Sequence, residues 1–300
     1  MELRHLRYFV AVAEAGNLTR AAAKLFIAQP PLTRAIKQLE EEIGVELFIR
    51  KPRGLELTTG GEYFLEQAQQ ILDKVGATVE DTRRIAQHRK TIFSIGFVPS
   101  VFYGQLPLMV RRLRQNKNLE IVLHELKTRE QVDALKSGKI DIGFGRLRIE
   151  DPDVEQENLF DEPIIAAVPA GHQLTGHPPS MKELSEWPMV TFPSGPGPNF
   201  ADITQGLFHR RGLRIHVSQQ VNDLQTALSL VASDMGFTLV PEQVRKLHRE
   251  GVEYMPLEDN NITTPVIASR RRGENPNAVM RLANTILGEL VDNRLTGRYP

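Results

Sequence analysis

A single long heptad run constrains this chain more than any other feature. From Glu62 to Arg89 apolar residues recur by four and three. Phe64, Ala68, Ile71, Val75, Thr78, Thr82 and Ile85 form one seam, and Leu65, Leu72, Val79 and Ala86 widen it. A helix of about 28 residues is about 42 Å long, more than one globular core covers. Two arrangements fit the pattern: a helix pairing with a second copy of the chain, or a single helix packed on its own domain. Either way it separates a short segment before it from a long one after it.

The short segment is helical. Leu6, Phe9, Val10 and Ala13, then Ala21, Ala22 and Leu25, then Leu32, Ile36, Leu39 and Ile43 make three apolar stripes. Gly16-Asn17 ends the first helix, Thr19 is the expected cap of the second, and Pro30-Pro31 suits the opening turn of the third. Arg50-Lys51-Pro52-Arg53-Gly54 reads as a turn between extended pieces at Leu47–Arg50 and Leu55–Thr58, a small wing.

Charge is informative through its placement. The chain carries 37 basic and 37 acidic residues, a balance that argues mildly against a nucleic-acid binder. Yet Arg20, Lys24, Arg34 and Lys37 lie between Glu14 and Glu40 with no acid among them, and Arg50, Lys51 and Arg53 form a second basic knot. A short helix, a tight turn and a third helix make a helix-turn-helix. Gln29, Thr33, Arg34 and Lys37, with Pro30 in the first turn, occupy the face opposite Leu32, Ile36 and Leu39. Glutamine can pair bidentately with adenine, arginine with guanine, and threonine can touch a thymine methyl. Periodicity alone fits a solvated face of a small bundle equally well. The acid-free stretch and the wing arginines, suited to phosphates or the minor groove, favour DNA.

From Thr91 strands and helices alternate. Strands are expected at Ile92–Phe97, Glu120–Leu126, Ile140–Phe144, Ile164–Val168, Met189–Phe192, Ile215–Val217, Phe237–Val240 and Thr264–Ala268. Helices are expected at Gly104–Gln115, Glu130–Ser137, Phe200–Arg211, Leu224–Ser233 and Ala278–Asn293. This is an α/β module of about 210 residues, a size that often forms two lobes around a cleft. Ser100 follows one strand; Thr128 follows the next, with Gln131 at capping-box spacing; Ser194–Phe200 leads into a third helix. Helix N-termini at the carboxyl ends of strands offer an anion free amides and a favourable dipole. Each hydroxyl alone is more often a plain cap. Arg146, just past a strand, is equally suited to offsetting ligand charge and to a structural salt bridge.

Exclusions narrow the function. No cysteine is present, so disulfide scaffolds, thiol catalysis and iron–sulfur clusters are ruled out. The histidines form no metalloprotease-type pair, and no Walker loop, nucleophile elbow or dinucleotide fingerprint occurs, so neither an enzyme nor a metal or cofactor site is expected. No apolar run reaches about 18 residues and the amphipathic N-terminus does not read as an export signal, so a soluble, cytoplasmic protein without membrane contact is expected. Residues 91–300 alone would also suit a transporter's solute-binding module.

The motifs Met1-Glu-Leu-Arg-His-Leu-Arg-Tyr-Phe-Val, Leu18-Thr-Arg-Ala-Ala, Ala28-Gln-Pro-Pro-Leu, Leu39-Glu and Gly44 resemble the N-terminal winged helix of LysR-type transcriptional regulators. Ile95-Gly-Phe-Val-Pro-Ser, Gly138-Lys-Ile-Asp-Ile-Gly-Phe-Gly-Arg, Pro198-Asn-Phe and Thr238-Leu-Val-Pro are similar to the branch that controls benzoate and catechol breakdown in response to cis,cis-muconate. The resemblance implies a winged helix-turn-helix over 1–60, a linker and dimerisation helix over 61–90, and an effector domain of periplasmic-binding-protein type over 91–300. Lobe I would take about 91–162 and 266–300, and lobe II about 163–265. It implies DNA contacts through Arg20, Gln29, Pro30, Thr33, Arg34, Lys37, Arg50 and Arg53, and pairing through Phe64, Ala68, Ile71 and Val75. Effector contacts would fall to Ser100, Val101, Thr128, Arg146, Pro198, Asn199 and Phe200. The implied partners are operator DNA, a small carboxylate and further copies of the chain as a dimer of dimers, with RNA polymerase as another candidate. Ser233-Asp234-Met235 and Lys127 depart from the family pattern and bear on cleft shape and charge.

Overall fold

The computed structural model describes residues 1–51, 54–88, 90–192 and 199–295, with the side chains at 77, 80–81, 84–88 and 293–295 outside that description. The chain forms two compact units, Met1–Arg89 with Lys136–Lys139, and the remainder from Lys90.

The first unit runs α1 (Leu3–Ala15), α2 (Leu18–Lys24), α3 (Gln29–Ile43), β1 (Phe48–Lys51), β2 (Gly54–Leu57) and α4 (Thr59–His88). Leu6, Phe9 and Val12 of α1 meet Ala21 and Ala22 of α2, Leu32, Ile36 and Leu39 of α3, and Leu47 and Phe48 of the wing in one buried cluster. The Phe9 ring lies 5.1 Å from that of Phe48 and 5.0 Å from that of Phe64. Asn17, not Thr19, caps α2: its Oδ1 accepts from the amides of Thr19 and Arg20 at 2.8 and 3.1 Å. The cap must have extended backbone ahead of the first helical residue, and Thr19 already lies inside the helix. Glu40 ties the end of α3 to the wing, its Oε1 accepting from the amides of Leu47 and Phe48. Thr58 Oγ1 accepts from the amide of Gly61. A Cβ on Gly61 would fall 2.1 Å from the Leu47 carbonyl oxygen, so glycine is what lets α4 start against the wing.

The two arrangements open for the heptad run divide along α4. Ala68 is fully buried and Phe64, Leu65 and Leu72 pack on the winged-helix core. Phe64 and Ala68 are thereby engaged within the chain. Ile71 and Val79 remain 42% and 44% exposed, and Val75 is half-buried. The first turns pack on their own domain because α1 and the wing lie beside them; farther along, Ile71, Val75 and Val79 stand outside that cluster.

The second unit comprises β3 (Thr91–Phe97), α5 (Pro99–Phe102), α6 (Leu106–Leu113), β4 (Leu119–Glu125), α7 (Thr128–Lys136), β5 (Ile142–Gly145), β6 (Val154–Pro169), α8 (Met181–Ser185), β7 (Pro188–Thr191), α9 (Phe200–His209), β8 (His216–Gln220), α10 (Leu224–Ala232), β9 (Thr238–Pro241), β10 (Val252–Pro256), β11 (Thr263–Arg271) and α11 (Ala278–Leu295). β3 lies parallel between β4 and β5, and β11 runs antiparallel to both β5 and β6. β6 serves two cores. Its first half pairs with β11 from Val154↔Arg271 to Pro163↔Thr263, and its second half pairs with β9 and β10. One core gathers Phe93, Ile95, Met109, Ile142, Phe144 and Ala283; the other gathers Ile164, Ala166, Phe208, Phe237 and Leu239.

Three segments differ from the sequence expectation. The helix expected over Gly104–Gln115 is α6, shortened to Leu106–Leu113, and a further short helix, α5, precedes it at Pro99–Phe102; each is opened by a proline in its first turn. The strand over Ile164–Val168 begins at Val154, where Glu155 and Glu157 hide the pattern. Both carboxylates reach Arg270 on β11, at 3.3 and 2.9 Å. β10 and α8 carry no clear apolar period, the latter being fixed by a Ser180–Glu183 capping box.

Asp141 precedes β5 and accepts from the Ser94 amide at 2.7 Å, with Arg271 at 3.5 Å. Burial nonetheless raises its pKa above the ordinary aspartate value. The folded chain therefore holds this proton more tightly than the unfolded chain. Its contribution is fully present below the unfolded aspartate range and is lost as pH rises through the raised folded pKa. Asp141→Asn should remove that contribution. The difference in melting temperature between the wild type and Asp141→Asn, followed from pH 4 to pH 7, should drift in favour of the variant as pH rises.

Candidate functional site

On the first unit, α3 presents its polar residues at the start, where Gln29 and Pro30 occupy the opening turn. Gln29, Pro30, Arg34 and Lys37 are exposed, Thr33 is half-buried, and Leu32, Ile36 and Leu39 face the core. Thr19 Oγ1 donates to Gln29 Oε1 at 3.2 Å, so α2 steadies the first side chain of α3. Thr33 Oγ1 donates to the Gln29 carbonyl, which leaves its methyl as the group for an apolar contact. Lys37 has only an exposed partner, Glu41 at 3.4 Å. Arg20 and Arg50 are exposed, and Arg53 lies outside the described residues. A short helix, a turn and a helix whose first two turns carry amide, hydroxyl and guanidinium groups form a face suited to base edges in a major groove.

On the second unit, two consecutive residues at the end of β5 contact Ser100 and Thr128. Gly145 lies against Thr128, so closely that a Cβ there would fall 2.9 Å from the Thr128 hydroxyl oxygen. Arg146 reaches the other way and donates from Nε to Ser100 Oγ at 2.7 Å. Its Nη2 meets Glu162 Oε2 at 2.7 Å and also donates to the Ser100 carbonyl. The second carboxylate oxygen of Glu162 accepts from the Gln243 amide at 2.7 Å. Arg146 and Glu162 are 4% and 1% exposed. Of the two roles open for Arg146, the ion pair is the one formed, and through it the arginine orients Ser100.

Neither hydroxyl is a helix cap. The box at α7 is closed by Glu130, whose Oε2 accepts from the Lys127 amide, and not by Gln131. Gln131 turns inward and donates to the carbonyls of Leu126 and Phe144. The reason is positional: Lys127 is the residue before the helix, and its third successor is Glu130. Thr128 is 5% exposed, with its side chain against Gly145. Ser100 accepts from Arg146 and keeps its O–H as a donor.

The expected third anion site is different. Asn199 Oδ1 accepts from the amides of Ala201 and Asp202, and Asp202 accepts from the Asn199 amide. The start of α9 is thus satisfied by its own side chains and carries a carboxylate. Phe200 stacks edge-on at 6.4 Å from Phe192, which packs in one cluster with Tyr103. Val101 is buried in the core beneath Ser100, and Pro198 lies outside the described residues. Lys127 is exposed, and Asp234 takes a left-handed backbone at φ +61° at the end of α10. Glu162, Gln243 and Tyr103 were not singled out from sequence, and Gln131 was, but as a cap partner rather than as an inward donor. The one available signal was Glu162-Pro163 standing directly before the fully apolar run Ile164–Val168.

Among the described residues no group of three or more histidine, aspartate or glutamate side chains could hold a metal, and no helix is long and apolar enough to cross a membrane. A DNA-reading face joined in one chain to a two-lobed ligand domain defines a ligand-responsive regulator. The comparisons say the same. Residues 3–62 match the bacterial regulatory helix-turn-helix protein model of the lysR family, and residues 86–290 match the LysR substrate binding domain. The chain belongs to the LysR family of transcriptional regulators. It is 46% identical to the transcriptional regulator CatR of Pseudomonas putida over 95% of this chain and 98% of that one. It is 41% identical to BenM of Acinetobacter baylyi over 95% of each. The effector binding domain of BenM, solved with its effector benzoate, superposes with a TM-score of 0.61 at 32% identity, covering 70% of this chain and 95% of that domain. Full-length CbnR in complex with its target DNA superposes with a TM-score of 0.59 at 30% identity, covering 97% of this chain and 100% of that one.

Proposed function

We propose that this regulator is a cytoplasmic switch for aromatic-compound breakdown, set by a small carboxylate of the muconate or benzoate class. The observation that carries the reading is the pair of hydroxyls at the end of β5. Ser100 is held by Arg146 with its proton left to donate, and the Thr128 side chain lies against Gly145. Hydroxyl donors are suited to the oxygens of a carboxylate. The relatives supply the ligand class: benzoate is the effector in the BenM domain, and another relative at 40% identity is a probable cat1 operon activator. Asn199 and Phe200 bound the same ligand from the start of α9, and Arg146 contributes by positioning. Neutral hydroxyls on a carboxylate give charge-assisted bonds of about 1.5–3 kcal/mol each.

Ser100→Ala and Thr128→Ala should each weaken cis,cis-muconate or benzoate by about tenfold to a hundredfold in a calorimetric titration. Because Thr128 caps no helix, Thr128→Ala should leave the melting temperature nearly constant, whereas Ser100→Ala also removes an acceptor of the buried Arg146 and should lower it. Unchanged affinity in both variants would remove the assignment.

At the DNA, Gln29, Pro30, Thr33, Arg34 and Lys37 read the major groove, while Arg20, Arg50 and Arg53 hold the backbone. Arg34→Ala should relax specificity at one base position, at a cost of about 1–3 kcal/mol. Arg50→Ala should weaken all sequences alike and flatten the salt dependence. Binding-site selection from a random duplex library, run on both variants, separates these roles.

Self-association proceeds through the stretch of α4 free of the winged-helix core, Ile71, Val75 and Val79, giving a dimer and then a dimer of dimers. RNA polymerase is a further candidate partner of that assembly. Ile71→Asp places a charge in the apolar stripe. Sedimentation at micromolar concentration should then show smaller species; an unchanged assembly would move the interface elsewhere.

A further inference from the structure

The turn between α2 and α3 contains a residue that folding does not explain. Phe26 is 95% exposed, the most exposed of the large apolar side chains in the described residues. It also takes a left-handed backbone, φ +56°. The turn is a Schellman motif: the Phe26 amide donates to Ala23 and the Ile27 amide to Ala22, at 3.1 and 3.0 Å. That motif favours glycine at the position Phe26 holds, because a Cβ is strained there. Among the described residues the other non-glycine residues at positive φ are Asp234 and His248, polar types that tolerate this region better than a bulky aromatic does. Leu25 and Ile27, on either side, pack on the winged-helix core, so the turn sends its two aliphatic residues inward and the phenyl ring out. Strain and full exposure together mark a side chain kept for contact with something outside the chain.

The place of the ring names its occupant. Phe26 stands three residues before Gln29, the first residue of α3, in the stretch where Arg20, Lys24, Arg34 and Lys37 occur without an acid. We propose that Phe26 is a DNA-contacting residue, its ring packing on the apolar surface of the duplex, deoxyribose or thymine methyl, at the edge of the groove that α3 enters. The inference rests on the DNA-reading role assigned to α3. An aromatic at this point adds affinity without adding charge, and it fixes how far the start of α3 descends toward the bases. Apolar contact to a thymine methyl is an ordinary means of readout.

The test compares the full-length wild type with Phe26→Gly on a duplex of about 30 base pairs selected by the wild type from a random library. Glycine suits the turn, so melting temperature should rise by about 2–4 °C. DNA affinity should nevertheless fall by about fivefold to thirtyfold, with the slope of log affinity against log salt unchanged, because no phosphate contact is lost. Replacing thymine by deoxyuracil in the duplex distinguishes the two surfaces. A loss for the wild type but not for Phe26→Gly assigns the thymine methyl; no loss for either assigns deoxyribose. Wild-type affinity for Phe26→Gly at raised stability would overturn the proposal. So would a smaller species in sedimentation with affinity per dimer preserved, since the ring would then be an assembly contact. Arg34→Ala, measured in parallel, keeps the two readings apart: if that variant also binds as the wild type does, the fault lies with the assignment of α3 and not with Phe26 alone.

Discussion

The second unit is organised around one buried ion pair. Arg146 and Glu162 are withdrawn from water almost completely, and their Nη2–Oε2 contact is 2.7 Å. Removing two charges from water costs about as much as their attraction returns, so such a pair is weak evidence of stability. What it provides is placement. Arg146 follows β5 and grips both Ser100 Oγ and the Ser100 carbonyl. Glu162 sits in β6 where that strand passes from one core to the other, and its second oxygen fastens the amide of Gln243 beyond β9. Loss of either partner would leave an uncompensated charge where β6 passes between the two cores, beside Ser100.

That placement works because β6 is continuous. Its sixteen residues are shared between two sets of pairings, with the change at Pro163 and Ile164. A proline within a strand cannot donate to a ladder, which suits a position where partners are exchanged. On the other side of the site, Gly145 leaves room for Thr128 to lie against β5. Gly145 thus sets the approach of Thr128 to β5, and the buried pair sets the orientation of Ser100.

Much of this was legible in the chain wherever one physical signal dominated. The three stripes from Leu6 to Ile43, the wing and the β3–β5 succession follow from periodicity, since each element buries one face or is buried entirely. β6 was half legible. Ile164–Val168 is apolar throughout, but Glu155 and Glu157 read as surface charge because Arg270, their partner, stands more than a hundred residues later. The caps were misplaced by one or two positions at Asn17 and Lys127, because serine, threonine and asparagine are near-equivalent in pattern and only backbone geometry separates a cap from a first-turn residue. The role of Arg146 could not be resolved either, since a buried pair is defined by proximity and not by spacing. The division of the α4 seam likewise depends on what packs beside each turn.

The pairing of Arg146 with Glu162 also bears on how a carboxylate would be recognised. With the arginine neutralised, the site has no spare buried cation at Ser100, and the anion must be held by hydroxyl donors and the opening turn of α7. Lys127 stands exposed beside that turn and adds a screened positive charge. The start of α9 opposes it, because Asp202 closes the Asn199 capping box with a negative charge. On the proposed reading, an anionic pole would go to Ser100 and Thr128, and the Phe192–Phe200 rings and Tyr103 would offer an unsaturated or aromatic body apolar contact. Recognition by neutral donors is directional. Under that proposal it would favour a planar acid whose carboxylate oxygens match the hydroxyl directions over any anion of equal charge, because a directional donor discriminates by shape where a bare cation does not.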